Sequence, residues 1–509
     1  MFFITTAIDY TNGKPHIGHA YEKVLADAIA RHRRLRGEDT FFLTGVDQHG
    51  QKVQQSARAA GIPPSEFVAG ITAEFLALWD KLGVAYDGWA ATTGQVHVRC
   101  VRDILARLHR DGHFYKAKNA GYYSVRQEQF LTDKERGPDG AFGPEWGEVV
   151  LLEEENYYFR LAEHRQWLLD LIDRREAERR PLVVPAARAA ELRNAVEKLS
   201  GDLCISRPKS RLEWGIELPF DRDFVTYVWF DALTNYISFA GFTDDPDRFA
   251  RLWPAIHVIG KDILAPPHGI YWPIMLKACG IPDDKMPTLL VHGWWNIGGS
   301  KMSKSAGTVV DPSALCETYG REATRYYLLA DIATGRDADF STERLVSRYN
   351  ADLANSLGNL LNRTLNMAAR YRQGRLGAPA SADPLAEACA SAVAKWDAAF
   401  LAFEPHAAIG AILDLLARAN ARVEESAPWK LAKDPSRADE LDAVLYSLAE
   451  TLRILSILIE PVLPSAAAGM RSQLARDGSV TIADTAWGGL PPGHVLGAPT
   501  PLFPRIETP

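Results

Sequence analysis

Two short segments, far apart in the chain, combine residue types that suit phosphate binding. Residues 16–19 read His-Ile-Gly-His and residues 301–305 read Lys-Met-Ser-Lys-Ser, so the first offers paired imidazoles and the second paired ammonium groups. Such groups stabilise charge that moves between phosphate oxygens, and a helix N-terminus favours the same anions. Alone, each segment also fits a plainer structure, a histidine pair at a helix cap or a solvated basic turn. Together they predict one nucleotide site bounded from two sides.

A parallel sheet is predicted to position both segments. The pattern indicates a buried strand at residues 2–7, a helix at 17–36 and a second strand at 40–46 that ends at Asp47. A strand, a loop and a helix in this order begin a doubly wound, Rossmann-like α/β fold, in which ligands bind beyond the carboxyl ends of the strands. The α/β pattern returns in residues 257–292 and leads into the lysine segment. Both segments are therefore expected at one edge of one sheet.

The rest of the chain divides into an insertion and a helical part. Between the two α/β stretches the pattern breaks into short Gly/Tyr-rich pieces, an acidic run and a charged helix, and after residue 320 it is almost entirely amphipathic helix. We expect a catalytic domain in two halves (1–115 and 225–320), a connective insertion (116–224), a junction (321–350), a C-terminal α-helical bundle (351–487) and a tail (488–509).

The composition is that of an ordinary globular protein. Of its 509 residues 47% are hydrophobic and 24% charged, and no apolar run approaches the roughly 20 residues that span a bilayer. The first residues lack the features of an export signal, and the five scattered cysteines are typical of free thiols in a reducing compartment. A net charge of −7 argues against indiscriminate nucleic-acid binding. Composition thus predicts a cytoplasmic protein without a membrane segment.

Three further motifs connect these segments to a known family. Residues 227–236 read Tyr-Val-Trp-Phe-Asp-Ala-Leu-Thr-Asn-Tyr, residues 268–273 read His-Gly-Ile-Tyr-Trp-Pro, and residues 8–10 read Ile-Asp-Tyr. With the two phosphate segments, they resemble the methionyl-tRNA synthetases, a family of class I aminoacyl-tRNA synthetases. The resemblance covers nearly the whole chain. It implies a ligase of protein biosynthesis that joins L-methionine to ATP and then to the 3′-terminal adenosine of tRNA(Met), initiator and elongator.

The resemblance also assigns residues to the substrates. His16, His19, Lys301 and Lys304 would be catalytic, and Gly18, Asp262 and Ser303 would complete the ATP site, with Mg²⁺ accompanying ATP. The methionine site would comprise Ile8, Tyr10, Asp47, Trp229, Ala232, Leu233, Tyr236, Ile263, His268 and Trp272. Asp47 would bind the α-ammonium group, and the Tyr236 hydroxyl and His268 would approach the sulfur. A polarizable thioether suits such aromatic walls, although each aromatic residue also fits plain core packing.

A third set is assigned to tRNA. Asn355, Asn359 and Arg363 are spaced by four and would share one helix face, and Trp429 follows a proline that breaks a helix. By resemblance Asn359, Arg363 and Trp429 read the anticodon, with Trp429 stacking on a base. The plainer alternatives are a capping cluster and a core tryptophan. We expect a monomer, because nothing that resembles the family's dimerising tRNA-binding module follows the helical part.

The chain departs from the family pattern at two places. Many relatives carry Cys-x-x-Cys pairs in the insertion, but residues 122–130 contain no cysteine, so we expect no structural zinc. Between Asp262 and His268 the chain has one residue more than the family's commoner form. Two alternatives stay open: another class I synthetase, for example one for cysteine, which would need a thiol-binding metal site, and a non-catalytic RNA-binding relative, which would be expected to lose the histidines or Lys304.

Overall fold

A parallel sheet of seven strands forms the centre of the catalytic part, as the sequence predicts. The structure is a computed structural model that describes residues 1–124, 129–131, 133–137, 139–302 and 309–507. The strands of the sheet are Phe2–Thr6, Asp9–Tyr10, Thr40–Asp47, Gly88–Ala91, Val183–Val184, Ile256–Gly260 and Thr288–His292. Phe2–Thr6 pairs with Thr40–Asp47 on one side and with Ile256–Gly260 on the other. The two distant α/β stretches therefore form one sheet.

Helices cover both faces of this sheet. They are Ile17–Leu35, Gln51–Ala60, Pro64–Leu82, Gln95–Arg110, Val228–Ser238, Pro246–Leu252 and Trp272–Ala278, and Leu264–Tyr271 is a helical segment with a kink at Ala265. Successive residues of each strand enter different apolar cores on the two faces of the sheet. Phe3, Leu43 and Ile259 belong to one core. Ile4, Phe42 and Val258 belong to the other. Strands buried on both faces are typical of parallel sheets, and they explain why the sequence here is apolar without alternation.

The insertion is built mainly from antiparallel strands. A four-stranded sheet contains Phe114–Ser124, Gln129–Leu131, Val149–Phe159 and Leu203–Cys204, and a three-stranded sheet contains Ser206–Pro208, Glu217–Leu218 and Asp221–Thr226. Two helices, Arg165–Ala177 and Ala186–Glu197, flank a strand that the sequence analysis did not separate from the insertion. This strand, Val183–Val184, pairs in parallel with Thr288–His292 and so extends the catalytic sheet.

The part after residue 320 is helical, as predicted. Its helices are Arg321–Ala330, Thr342–Arg348, Tyr349–Gly358, Asn359–Arg372, Pro384–Leu401, Pro405–Ser426, Pro428–Leu431, Ala438–Leu458 and Pro464–Gln473, and Pro312–Tyr319 precedes them. Ala438–Leu458 is buried over most of its length and lies at the centre of the bundle. The tail packs back onto the bundle through Leu490, Leu496 and Phe503. One apolar core runs from this bundle to a face of the catalytic sheet.

A buried ion pair connects the helical part after residue 320 to the first helix of the catalytic part, Ile17–Leu35. The Arg325 guanidinium is fully buried and lies 2.7 Å from the Asp27 carboxylate. It also donates to the backbone carbonyls of Leu82, Pro461 and Val462. A buried charge is tolerated only when it is paired and hydrogen-bonded to this extent. The contact therefore holds the middle of the helix whose N-terminus carries the His-Ile-Gly-His segment.

Candidate active site

Two adjacent cavities lie beyond the carboxyl ends of the central strands, where parallel sheets bind ligands. The histidine cavity, of about 430 Å³, contains the His-Ile-Gly-His segment, and the aromatic cavity, of about 450 Å³, has mainly apolar and aromatic walls. The residues that line both are Ala7, Ile8, Tyr10, Asp262 and Ile263. The cavities therefore share a wall, and ligands bound in the two would be neighbours.

The two imidazoles of the histidine cavity are held in a defined tautomer. His16 caps the helix Ile17–Leu35: its Nδ1 accepts from the Gly18 N–H at 3.1 Å, and its own N–H donates to Nδ1 of His19 at 3.1 Å. Because each Nδ1 is an acceptor, each ring carries its proton on Nε2. The rings stack with centroids 3.8 Å apart. Each ring thus carries an Nε2–H group, and that of His19 lies 3.9 Å from the Asp9 carboxylate. A Cβ at Gly18 would lie 3.0 Å from the His16 ring.

The lysine segment begins at the same cavity. Strands Trp295–Ile297 and Ser300–Lys301 form a hairpin whose turn needs the positive φ angles of Gly298 and Gly299. Met302 lines the histidine cavity, and so does Val309, the next described residue along the chain. Ser303 and Lys304 lie outside the described residues, and Lys301 is described by its backbone only. Met302 and Val309 therefore line the same cavity as the imidazole pair.

A buried charge cluster beside the imidazoles was missed by the sequence analysis. Lys23 is fully buried and donates to Asp9 at 2.5 Å, to Glu22 at 3.0 Å and to the backbone carbonyl of Ala7. Burial raises the pKa of Asp9 to about 7 against the opposing effect of Lys23. The pKa of Glu22 is lowered instead. Burial alone would raise it, but Lys23 and His292 hold it below the usual value. The signal in the sequence was a Glu-Lys pair within an otherwise apolar helix segment.

The aromatic cavity brings together almost all residues predicted for the amino acid. Its walls contain Ile8, Tyr10, Asp47, Trp229, Ala232, Leu233, Tyr236, Ile263 and His268. Trp272 is not brought to these walls. It lies behind Tyr236, with ring centroids 5.7 Å apart, and its indole N–H donates to Nε2 of His257 at 3.1 Å. Lys52 and Asn235 also line the cavity and were not predicted.

One hydrogen-bond chain fixes the protons at the base of the aromatic cavity. His268 donates from Nδ1 to the Ile263 carbonyl at 2.9 Å, so its Nε2 accepts from the Tyr236 hydroxyl at 2.8 Å. Burial lowers the pKa of His268 to about 4, which keeps the ring neutral. The Tyr236 proton is therefore directed at His268, and the phenol oxygen rather than its proton is left for a ligand. A thioether is only a weak hydrogen-bond acceptor, so it loses little binding energy when the phenol proton is not available to it.

The additional residue between Asp262 and His268 is absorbed locally. Within Leu264–Tyr271 the helix is interrupted by a kink at Ala265, whose backbone is extended (φ −121°, ψ 130°). Ile263 and His268, on either side of this kink, both line the aromatic cavity. Asp262 lines both cavities and accepts from the Trp294 indole at 3.2 Å.

Asp47 ends its strand at the rim of the aromatic cavity. Its backbone carbonyl accepts two hydrogen bonds from Thr11, and its Oδ1 lies 3.3 Å from the His49 N–H and 3.4 Å from the Thr92 hydroxyl. Only 5% of Asp47 is exposed. A buried, oriented carboxylate of this kind suits a ligand's ammonium group.

A second buried carboxylate, also missed by the sequence analysis, fixes the segment after Asp47. Asp231 accepts from Nδ1 of His49 and from Nε2 of His97, both at 2.7 Å. His97 in turn lies 2.8 Å from the Ser238 hydroxyl. Burial alone would raise the pKa of Asp231, but the two imidazoles hold it at about 2.

The residues predicted to read the anticodon lie at the surface of the bundle. The Arg363 guanidinium is 5.8 Å from the centroid of the Trp429 ring, and it also forms a 2.7 Å ion pair with Glu424. Asn359 lies one helical turn before Arg363, and Trp429 is half-buried. The structure therefore brings an indole, a guanidinium and an amide together on one surface.

Metal and membrane features are absent from the part of the chain that the structure describes. Its His, Cys, Asp and Glu residues form no group of three or more that could hold a metal ion, and none of its helices has the length and apolar character needed to cross a bilayer. The cysteines Cys100, Cys204, Cys279, Cys316 and Cys389 are free thiols. The absence of a structural zinc stays a prediction.

Comparisons with known proteins agree with this geometry. The family model described as "tRNA synthetases class I (M)" matches residues 2–139 and 147–365, and that described as "Anticodon binding domain of methionyl tRNA ligase" matches residues 374–509. Methionine--tRNA ligases of Deinococcus radiodurans and Bacillus subtilis are 41% and 39% identical, over 99% of this chain and 74% and 78% of their own lengths. A Mycobacterium tuberculosis methionyl-tRNA synthetase, solved in complex with methionyl-adenylate, superposes with a TM-score of 0.92 at 38% identity, covering 99% of each chain. The chain therefore belongs to the methionyl-tRNA synthetase family of class I aminoacyl-tRNA ligases.

Proposed function

We propose that this protein activates L-methionine with ATP and transfers the methionyl group to tRNA(Met). The observation that carries the proposal is the shared wall of the two cavities, one with phosphate-binding donors and one with aromatic walls and a carboxylate. Methionine in the aromatic cavity would present its carboxylate to the α-phosphate of ATP in the histidine cavity. Two held reactants that meet in this way need no further diffusion, which is a large part of the rate enhancement in such reactions.

The polar and aromatic residues of the two cavities have the following roles in this proposal. Asp47 binds the α-ammonium group, and Trp229, Tyr236 and His268 enclose the thioether. His16 and His19 donate from Nε2 to the phosphate oxygens as charge moves toward pyrophosphate. Lys301 and Lys304 hold the departing pyrophosphate together with the Mg²⁺ that accompanies ATP as part of the substrate. Asp262, which lines both cavities, accepts from the ribose hydroxyls of ATP.

Pyrophosphate exchange measured with each standard amino acid in turn tests this function. Methionine is expected to support exchange far above every other amino acid, because a polarizable thioether suits the aromatic walls of this cavity. Exchange with cysteine instead would favour the cysteine-specific alternative, and no exchange with any amino acid would favour a non-catalytic RNA-binding protein. Initiator and elongator tRNA(Met) are both expected to accept methionine.

The helical part, residues 351–487, is proposed to bind the anticodon of the tRNA. The insertion, residues 116–224, is proposed to lie over the acceptor end of the tRNA. Asn359 and Arg363 would bond to the edges of unstacked bases, and Trp429 would stack on one. The Glu424 carboxylate that now pairs with Arg363 would exchange its partner for the RNA. We propose further that the protein works as a monomer in the cytoplasm, where scattered thiols stay reduced.

Replacement of Trp429 by alanine is expected to lower kcat/KM for tRNA aminoacylation about 5- to 150-fold, because stacking on one base contributes about 1–3 kcal/mol. Pyrophosphate exchange with methionine should stay within about twofold of the wild type. The matched control is Trp487→Ala, which removes another half-buried indole from the same bundle. Equal losses in both reactions would show that Trp429 supports the fold instead of the tRNA.

A further inference from the structure

One turn of the insertion, residues 211–214, is hydrogen-bonded to the segment that carries Asp47. This segment, residues 47–50, is here called the Asp47 loop. The indole N–H of Trp214 donates to the backbone carbonyl of Gln48 at 2.5 Å, and the Trp214 carbonyl accepts from the Gly50 N–H at 3.3 Å. The Trp214 ring also lies against His49, with centroids 5.7 Å apart. Trp214 is thus in contact with three successive residues after Asp47, although it lines neither cavity.

The same turn is hydrogen-bonded to the helix that follows the Asp47 loop. Gln54, in Gln51–Ala60, is buried and accepts from the backbone N–H groups of Glu213 and Trp214 at 2.9 and 3.1 Å. Its amide donates to the Arg211 carbonyl at 3.3 Å. One side chain therefore satisfies three backbone groups of the turn, so the turn and the loop are held as a unit.

The other end of the turn reaches the four-stranded sheet of the insertion. The Arg211 guanidinium lies 4.6 Å from the centroid of the Tyr123 ring, and it is 3.4 Å from the Glu154 carboxylate. Both partners lie on the paired strands Phe114–Ser124 and Val149–Phe159. The Asp47 loop is therefore held from two sides: by the insertion through Trp214, and by the catalytic domain through His49 and Asp231.

From these contacts we infer that Trp214 is a positioning residue for methionine: it holds the Asp47 loop so that the Asp47 carboxylate faces the ammonium group of the amino acid. The inference rests on the proposed function. Its physical basis is that Gln48 is buried, so its carbonyl would lose its donor without gaining water. The loop would then relax, and a carboxylate displaced by about 1 Å binds an ammonium group much less well.

The test is Trp214→Phe, which keeps an aromatic ring but removes the N–H donor together with part of the indole ring system. We expect KM for methionine in pyrophosphate exchange to rise about tenfold, with KM for ATP and kcat within about twofold of the wild type. The methionine dissociation constant, measured by calorimetry without ATP, should rise by the same factor. The matched control is Trp253→Phe, because the Trp253 indole also donates to a backbone carbonyl, that of Lys285, at 2.8 Å. This control should change none of these constants.

A second variant, Gln54→Met, removes the bonds to the turn from the opposite side and should also raise KM for methionine alone. An unchanged methionine KM in both variants would overturn the inference. So would a lower kcat with unchanged KM, since a general loss of folded enzyme has that effect. Failure of the proposed function looks different, because the wild-type protein itself would then show no exchange with methionine.

Discussion

Replacement of Asp47 by asparagine is expected to lower kcat/KM for methionine by about two to three orders of magnitude and to leave KM for ATP unchanged. Removing one member of a desolvated charge pair costs about 2–5 kcal/mol, and each 1.4 kcal/mol corresponds to a factor of about ten. Asparagine keeps an oxygen for the His49 N–H and the Thr92 hydroxyl, so the loop should keep its shape. Pyrophosphate exchange at varied methionine and at varied ATP concentrations measures both constants.

A methionine analogue without the amino group separates the charge effect from damage to the site. The acid 4-(methylthio)butanoate should inhibit Asp47→Asn with an inhibition constant no higher than that of the wild type, because it has no ammonium group to lose and leaves the wild-type carboxylate without a counter-charge. The control variant is Asp244→Asn, whose carboxylate pairs with Arg99 at an exposed position. Weaker binding of the analogue to Asp47→Asn would contradict the assigned role and would point to a collapsed cavity.

Most of the site could be predicted because its residues occur in contiguous motifs. Residues at a strand end or in the first turn of a helix have positions that follow from the fold, as His16, His19 and Asp47 do. The predicted arrangement of the catalytic sheet is confirmed, because parallel strands meet at one edge whatever their separation in the chain.

Trp272 shows where a motif stops being informative. The family resemblance assigned it to the methionine site together with His268. In the structure Trp272 packs behind Tyr236 and donates to His257, and the helix that leads to it is kinked at Ala265. A shared motif names residues near a site, but the local backbone, which the sequence did not reveal, decides which of them line the cavity.

The buried charges could not be predicted for a different reason. Lys23, Asp9 and Asp231 each have partners that are distant in the sequence or on another element, and a charged residue within an apolar run is more often at the surface. Their burial depends on contacts between helices and strands that only the assembled fold supplies. The same holds for Trp214, whose turn in the insertion bonds to a loop more than a hundred residues earlier.

The second large effect is expected at His19. In His19→Asn the amide oxygen can replace Nδ1 as acceptor for the His16 N–H, so the helix cap is kept, while the Nε2–H donor is lost. Loss of one donor aimed at developing charge typically costs about 10²–10³ in kcat. We therefore expect kcat for pyrophosphate exchange to fall by that factor, with both KM values within about threefold of the wild type and an unchanged thermal unfolding midpoint.

The matched variant is His19→Gln, which places an amide N–H near the position of Nε2 and should retain more of the rate than asparagine. This order, histidine above glutamine above asparagine, follows from the position of the donor, because all three side chains are neutral in the tautomer that the hydrogen bonds specify. If the ring instead acted as a cation, glutamine and asparagine would be equally poor. Since His16 and His19 cap the same helix turn, only variants that preserve the acceptor at Nδ1 can separate catalysis from the integrity of the helix end.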